Sequence, residues 1–296
     1  MEDNVLQLTV LLIVILCLIL LYRYCMCESG QESFQNKPYV HKRDSEMYDD
    51  FYMNEYDILY ETEKYSENDF NNISSTVVLA PDSTILDVGC GSGSLLKRFE
   101  KNGNYHIVGV DQSKAATNQS RENIQIGDVL CKNVLVDPML FEKESFDLIC
   151  CTHFAIYEIE NKNLLFKYAY HWAKIGGFLA IHMVDVQKFN MITPNSDLFP
   201  HLKSFTTLKD RITKSIIEKP EYTFSSYYDN VDTDKIERIE TFKCDNKCRK
   251  NEITLYMNSK ESIIANAIRN GFKYHSEVSY NLIPDDYQSL VFFVKV

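Results

Sequence analysis

Positive charge is what this sequence has too little of. Its 296 residues carry 31 Lys and Arg against 42 Asp and Glu, a formal net charge of -11. A domain of that sign is a poor partner for a phosphate backbone, which demands clustered Lys and Arg, so nucleic acid is marked down as a substrate. A cysteine framework is missing too. The nine cysteines are scattered, and only Cys244 and Cys248 pair by spacing, with no second pair or nearby His to complete a zinc site. No metal is expected, and scattered thiols suit a reducing compartment. A hydrophobic content of 45% argues against wholesale disorder and supports one large domain or two small ones.

The first residues lack both marks of a cleaved signal peptide. There is no basic start, since Glu2 and Asp3 open the chain, and no A-x-A pattern follows the apolar run. Residues 5–22 are apolar apart from Gln7 and Thr9, a length at the low end for a spanning helix. Residues 1–27 are therefore read as an uncleaved transmembrane anchor. Arg23, Lys37, Lys42 and Arg43 follow it and no Lys or Arg precedes it, so the positive-inside rule predicts a single-pass membrane protein whose main domain faces the cytosol. Cys25 and Cys27 are weak candidates for acylation there. Residues 28–45 are polar and aperiodic and read as a linker. The folded domain is expected over 46–296.

Within that domain, apolar β-branched runs alternate with helical patterns. Strands are predicted over 85–88, 106–110, 124–126, 146–151 and 178–184, with helices over 94–101, after Ser113, and over 161–177, which Gly176 and Gly177 would stop. This pattern predicts an α/β domain with a mainly parallel, Rossmann-like sheet. Residues 186–258 are read as an insertion. Its stretches 221–231, 236–242 and 252–257 alternate like antiparallel strands and predict a small β cap over the substrate side. Tyr48, Tyr52, Tyr56 and Tyr60 fall at helical spacing ahead of the core.

The stretch 84-TILDVGCGSGSLL-96 sits where the first strand turns into a helix. A dinucleotide loop, G-x-G-x-x-G, would need glycine at 94, where this chain has Ser; Gly93 breaks that spacing. The pattern is D-x-G-x-G-x-G, from Asp87 through Gly89, Gly91 and Gly93, with Cys90 inside it. Glycines admit close approach of a ligand to the backbone, and a helix N-terminus suits a carboxylate. Asp111 ends the second strand about 20 residues on, the spacing of a ribose-binding acid.

In these residues the chain resembles the class I S-adenosylmethionine-dependent methyltransferases. The stretches 145-SFDLICC-151 and 174-KIGGFLAIH-182 extend the resemblance, which covers most of 48–296. It implies S-adenosyl-L-methionine as cofactor and an antiparallel closing hairpin on the sheet. The cofactor positions it implies are Asp87, Gly89, Cys90, Gly91, Gly93, Asp111, Gln112, Asp128, Val129 and Thr152, with Asp128 at the adenine amino group. The stretches 127-GDVL-130, 137-DPMLFEKESF-146, 152-THFAIYEI-159, 182-HMVDVQKFNMITP-194 and 287-YQSLVFFVKV-296 are similar to membrane-anchored methyltransferase-like proteins of giant DNA viruses.

Methyl transfer asks the protein mainly to position the partners. The catalytic candidates are His153, Tyr157 and His182, with Glu158 and Asp185 nearby. The D/N-P-P-aromatic run of base amino-methylating enzymes is absent, replaced by Cys151-Thr152-His153-Phe154, and no Pro-Cys nucleophile for cytosine is found. The expected substrate is a small molecule, a lipid headgroup or a membrane-proximal protein. An inactive S-adenosylmethionine-binding module and an NAD-dependent oxidoreductase are the rival readings.

Overall fold

Period-two alternation sorts the strand residues into two cores. In β2 (Thr84–Val88) and β5 (Phe146–Cys151), Ile85, Leu148 and Cys150 join one buried cluster, while Leu86, Val88, Ile149 and Cys151 join the other. Both faces of the sheet are thus covered, as a parallel sheet requires. The computed structural model describes residues 38–194, 211–230, 233–280, 282 and 287–296. The expected anchor and most of the linker lie outside the described residues. Among the described residues, no helix is long and apolar enough to cross a membrane.

The remaining strands of the main sheet are β3 (His106–Asp111), β4 (Asp128–Cys131), β6 (Ala173–Val184), β11 (Phe272–Ser279) and β12 (Gln288–Lys295), in the order β11-β12-β6-β5-β2-β3-β4. Strands β2 to β6 pair in parallel, and β12 enters antiparallel between β6 and β11. This is the Rossmann-like sheet with the closing hairpin that the sequence predicts. On one face lie α2 (Thr62–Thr76) and α3 (Ser94–Asn102), through Tyr65, Ile73, Leu96 and Phe99. On the other lies α6 (Lys162–Trp172), through Leu165, Phe166, Ala169 and Trp172. Strand order reverses between β2 and β5, and a crevice opens beyond their carboxyl ends, where such sheets bind ligands.

Three predicted boundaries are corrected. The strand expected over 124–126 is β4, four residues later, because Val129 rather than Ile126 reaches the core: Ile126 is 70% exposed and Val129 8%. The helix expected to run to Gly177 stops at Trp172, and β6 begins at once. Gly176 then sits inside the strand with φ 79°, near where β5–β6 pairing shifts register. The linker also ends early. Strand β1 (Tyr39–Arg43) pairs in parallel with β10 (Lys247–Tyr256), burying Val40.

The cap is a five-stranded sheet, β1-β10-β9-β8-β7, with β7 (Lys214–Glu218), β8 (Thr223–Asp229) and β9 (Lys235–Cys244) antiparallel to their neighbours. Polar residues hide the far ends of β9 and β10 from hydropathy, but Asp245, at φ 49°, turns a tight hairpin and carries pairing out to Cys244 and Lys247. Helix α1 (Asp50–Leu59) joins cap to core. Asp49 caps it, accepting the Tyr52 N–H at 3.2 Å, and also accepts from Arg249 Nη1 on the cap at 2.9 Å.

Candidate cofactor site

The loop after β2 turns three times through left-handed backbone, at Gly89, Gly91 and Gly93 (φ 73°, 52° and 80°). At Gly93 glycine is required twice over. Its φ is costly for other residues, and a Cβ would lie 2.4 Å from Ser120 Oγ on α4 (Lys114–Asn123). At Gly91 a Cβ would meet nothing within 4 Å. Asp111 Oδ2 accepts the Gly91 N–H at 3.1 Å, and its Oδ1 accepts the Ser113 N–H at 2.8 Å. The carboxylate therefore locks the glycine loop to the end of β3.

A cleft of about 390 Å³ opens between this loop, the carboxyl ends of β3 and β5, and helices α1 and α2. Of the expected cofactor residues, Asp87, Gly89, Cys90, Gly91, Asp111, Gln112 and Thr152 line it. Gly93 stands behind it as the packing glycine. Asp128 and Val129 do not line it: they start β4, and Asp128 pairs with Val108, at the amino side of the register. The residues that follow β4, Asn133 and Val134, take that place, and the Asn133 amide lies 3.5 Å from Gln112 Oε1. The four-residue shift of the strand thus leaves Asp128 and Val129 away from the cleft wall.

Three further residues of the cleft, Asp57, Asp69 and Met53, escaped the sequence reading. Asp57 on α1 accepts from the Thr62 and Ser92 hydroxyls at 2.7 and 2.8 Å. Asp69 on α2 accepts from the hydroxyls of Tyr280 and Thr152. Glu158, expected at the carboxyl edge beside His153, lines the cleft and accepts from the Tyr48 hydroxyl. Met53 adds apolar surface. Asp57, Asp69 and Met53 sit in no motif, and only the fold brings them to the loop.

The cleft is strongly acidic. Burial raises the Asp87 carboxyl to about 8, and the Asp69 and Asp111 charges add to the rise. Burial raises Asp69 to about 7 against its two hydroxyl donors. Asp111 and Glu158 are also raised, mainly by burial. Lys132, at the rim, is exposed. Buried carboxylates without a facing cation are costly, and among the described residues Asp87 makes no ion pair. A ligand that brings positive charge and hydroxyls relieves that cost, so the donor set fits a sulfonium and ammonium carrier with a ribose.

The three catalytic candidates separate. His153 lines the cleft at the end of β5. It and Phe154 both hold left-handed backbone, φ 49° and 68°, a strain that only a well-braced turn sustains. His182 provides the brace. Its Nδ1 accepts the Phe154 N–H at 3.1 Å, so its Nε2–H donates to Gln288 Oε1 at 3.1 Å. It is wholly buried, its pKa pushed down to about 3 by burial, and it lines neither cavity. Tyr157 is wholly buried as well, and its hydroxyl accepts the Val184 N–H at 2.9 Å. The expectation that His182 and Tyr157 face a reacting group is corrected: both hold backbone in place.

His153 also borders a second cavity of about 40 Å³ beneath the cap, with Tyr56, Tyr60, Tyr228, Arg238 and Gln288. Its imidazole packs between the Tyr56 and Tyr65 rings at 5.8 and 5.2 Å. Burial, then Arg238, lowers its pKa to about 4.

Residues 85–177 match the family model described as a methyltransferase domain. Phosphoethanolamine N-methyltransferase of Plasmodium falciparum is 29% identical over 118 residues, 37% of this chain and 42% of that protein. The chain spans 42% of the length of the curated relatives it matches. A crystal structure of an S-adenosylmethionine-dependent methyltransferase from Clostridium acetobutylicum superposes with a TM-score of 0.61 at 15% identity, covering 82% of this chain and 97% of that one. CalS10, an amino pentose methyltransferase from Micromonospora echinaspora with S-adenosylmethionine bound, gives 0.55 at 14% identity over 81% and 96%. The chain thus has the fold of the class I S-adenosylmethionine-dependent methyltransferases, and residues 85–177 within it match the methyltransferase-domain model.

Proposed function

We propose that this protein is a membrane-tethered methyltransferase whose acceptor, a small molecule, a lipid headgroup or a group on a membrane-proximal protein, is held under the cap. The observation that carries the proposal is His153, which stands between the acidic cleft and the cap cavity. The bound cofactor supplies a methyl group on positively charged sulfur and leaves as neutral S-adenosylhomocysteine. Asp87 holds its ammonium, Asp111 its ribose hydroxyls, and Gln112 with Asn133 its adenine. His153 is uncharged at neutral pH, so its free nitrogen would accept a hydrogen bond from the acceptor N–H or O–H and aim the lone pair. As the bond to the methyl group forms and the S–CH3 bond breaks, the acceptor's proton passes to solvent. A base with pKa about 4 is weak, so orientation rather than proton abstraction is the role that fits. Amine acceptors are supported by the names of two similar proteins, a phosphoethanolamine N-methyltransferase and an amino pentose methyltransferase.

The apolar stretch at 5–22 supports the tether, and kinship with the membrane-anchored proteins of giant DNA viruses belongs to the same reading. A tether raises the local concentration of a surface-bound acceptor. S-adenosylhomocysteine release by the full chain, with soluble amines and with vesicles, tests both parts. Removal of residues 1–27 should lower turnover on vesicles and spare soluble acceptors; equal loss on both, or none, would discard the tether. One observation favours a binding module instead: two of the three expected catalytic residues are structural. Failure to release S-adenosylhomocysteine from bound cofactor under every acceptor tried would move that reading ahead.

Cofactor affinity should depend on pH. The cation binds to ionised Asp87 and Asp69, whose ligand-free values are about 8 and about 7. Below those values each acid must lose a proton on binding. Affinity should therefore weaken as pH falls from about 8 to about 6, by up to about tenfold per unit for each linked proton. Calorimetry across that range checks it, with Asp87→Asn flattening most of the slope. A wild-type Kd constant from pH 6 to 8 would refute the linkage.

A further inference from the structure

The cap cavity has a chemistry of its own. Among the described residues, Arg238 is the lining side chain that carries a formal charge. It is 4% exposed, and its Nε has no hydrogen-bond partner, although Glu240 Oε1 lies 3.3 Å away. Glu240 itself lines neither cavity and accepts from the Tyr52 and Tyr60 hydroxyls. It therefore anchors Arg238 from behind. The guanidinium lies over the Tyr60 ring at 5.3 Å, with Nη2 3.4 Å from the Tyr48 hydroxyl. Such stacking fixes its plane, and a fixed fork of N–H donors matches a planar or tetrahedral oxyanion. Size agrees. A cavity of 40 Å³ holds about three waters, room for a carboxylate or phosphate group and too little for a nucleobase.

We propose that Arg238 anchors an oxyanion group of the methyl acceptor, so that the acceptor is a small molecule with a carboxylate or phosphate at one end and its nucleophilic nitrogen or oxygen at the other. This assignment rests on the methyltransferase reading above. Arg238 and His153 border the same cavity, and His153 borders the cofactor cleft as well. An acceptor gripped at Arg238 thus presents its other end past His153. Gln288 and Asn190 supply neutral polar groups on the same wall. Glu240 balances the Arg238 charge from behind, so selection of the oxyanion end rests on the guanidinium N–H donors rather than on net charge.

The test uses the full chain saturated with S-adenosylhomocysteine, so that the cofactor cleft is filled. Sodium acetate and inorganic phosphate are added separately, against acetamide and against chloride at matched ionic strength, and the thermal midpoint is read. A ligand that binds only the native state raises it. One or both oxyanions should raise Tm by at least about 2 °C at tens of millimolar, acetamide and chloride should not, and the responding anion tells carboxylate from phosphate. Arg238→Gln should retain S-adenosylhomocysteine binding and lose the anion response. Equal behaviour of acetate, phosphate, acetamide and chloride would overturn the assignment, as would an anion response that survives in Arg238→Gln. Should that variant fail to fold, the wild-type contrast still decides. Failure of S-adenosylhomocysteine itself to stabilise the protein would identify the underlying methyltransferase reading as the fault and remove the Arg238 assignment with it.

Discussion

Asp111→Ala should weaken binding of S-adenosylmethionine and S-adenosylhomocysteine by at least about a hundredfold. The carboxylate has two tasks. It clamps the glycine loop through the N–H groups of Gly91 and Ser113, and it faces the cleft where a ribose would present two hydroxyls. A hydrogen bond to a charged group contributes about 1.5–3 kcal/mol. Losing two at the ligand costs roughly 3 kcal/mol or more, a factor of about 100 in Kd. Loosening of the loop adds to the loss. Because both adenosyl ligands share the ribose, both should suffer alike. Asp111→Asn keeps one acceptor oxygen and should fall between. Calorimetric titration, with circular dichroism to verify folding, makes the measurement. Affinity within threefold of wild type would mean that the ribose binds elsewhere.

Glu240→Leu should destabilise the protein more than any single change in the cofactor loop. Glu240 is wholly buried on β9 and accepts from Tyr52 at 2.8 Å, from Tyr60, and from Asn251 at 3.4 Å, with Arg238 beside it. Tyr52 belongs to α1 and Tyr60 follows it directly, so this carboxylate ties the cap to the helix that covers the cleft. Its removal leaves Arg238 as a buried, uncompensated charge, at a cost of about 3–5 kcal/mol. For a domain of this size the thermal midpoint should drop by roughly 10 °C. The double variant Glu240→Leu, Arg238→Met removes the orphaned charge and should recover part of the loss. A single variant that melts within 2 °C of wild type would show that the cap does not depend on this cluster.

Much of the cofactor cleft was legible because its chemistry is local. A strand that turns straight into a helix must pass through left-handed backbone, and the glycines at 89, 91 and 93 announce that turn. Asp111 was legible because one crossover sets the distance between the ends of adjacent parallel strands. Asp128 failed by the same logic. Its role depended on where β4 ends, and the apolar Ile124 and Ile126 drew the strand four residues too early. His182 and Tyr157 failed for another reason. Their types suit catalysis, but the partners that occupy them, Gln288 for one and the Val184 N–H for the other, are set by sheet pairing.

By itself the sequence determined the alternation of strands and helices between residues 84 and 184, the glycine turn, the acid at the end of β3 and the excess of negative charge. Each depends on neighbours along the chain or on composition. Only the tertiary structure decided which acids gather in the cleft and what lies under the cap. Asp69 meets Tyr280 across 211 residues, and Tyr52 meets Glu240 across 188. No local periodicity encodes such pairs, because they arise when separately folded segments bury their polar groups against one another and each must find a partner.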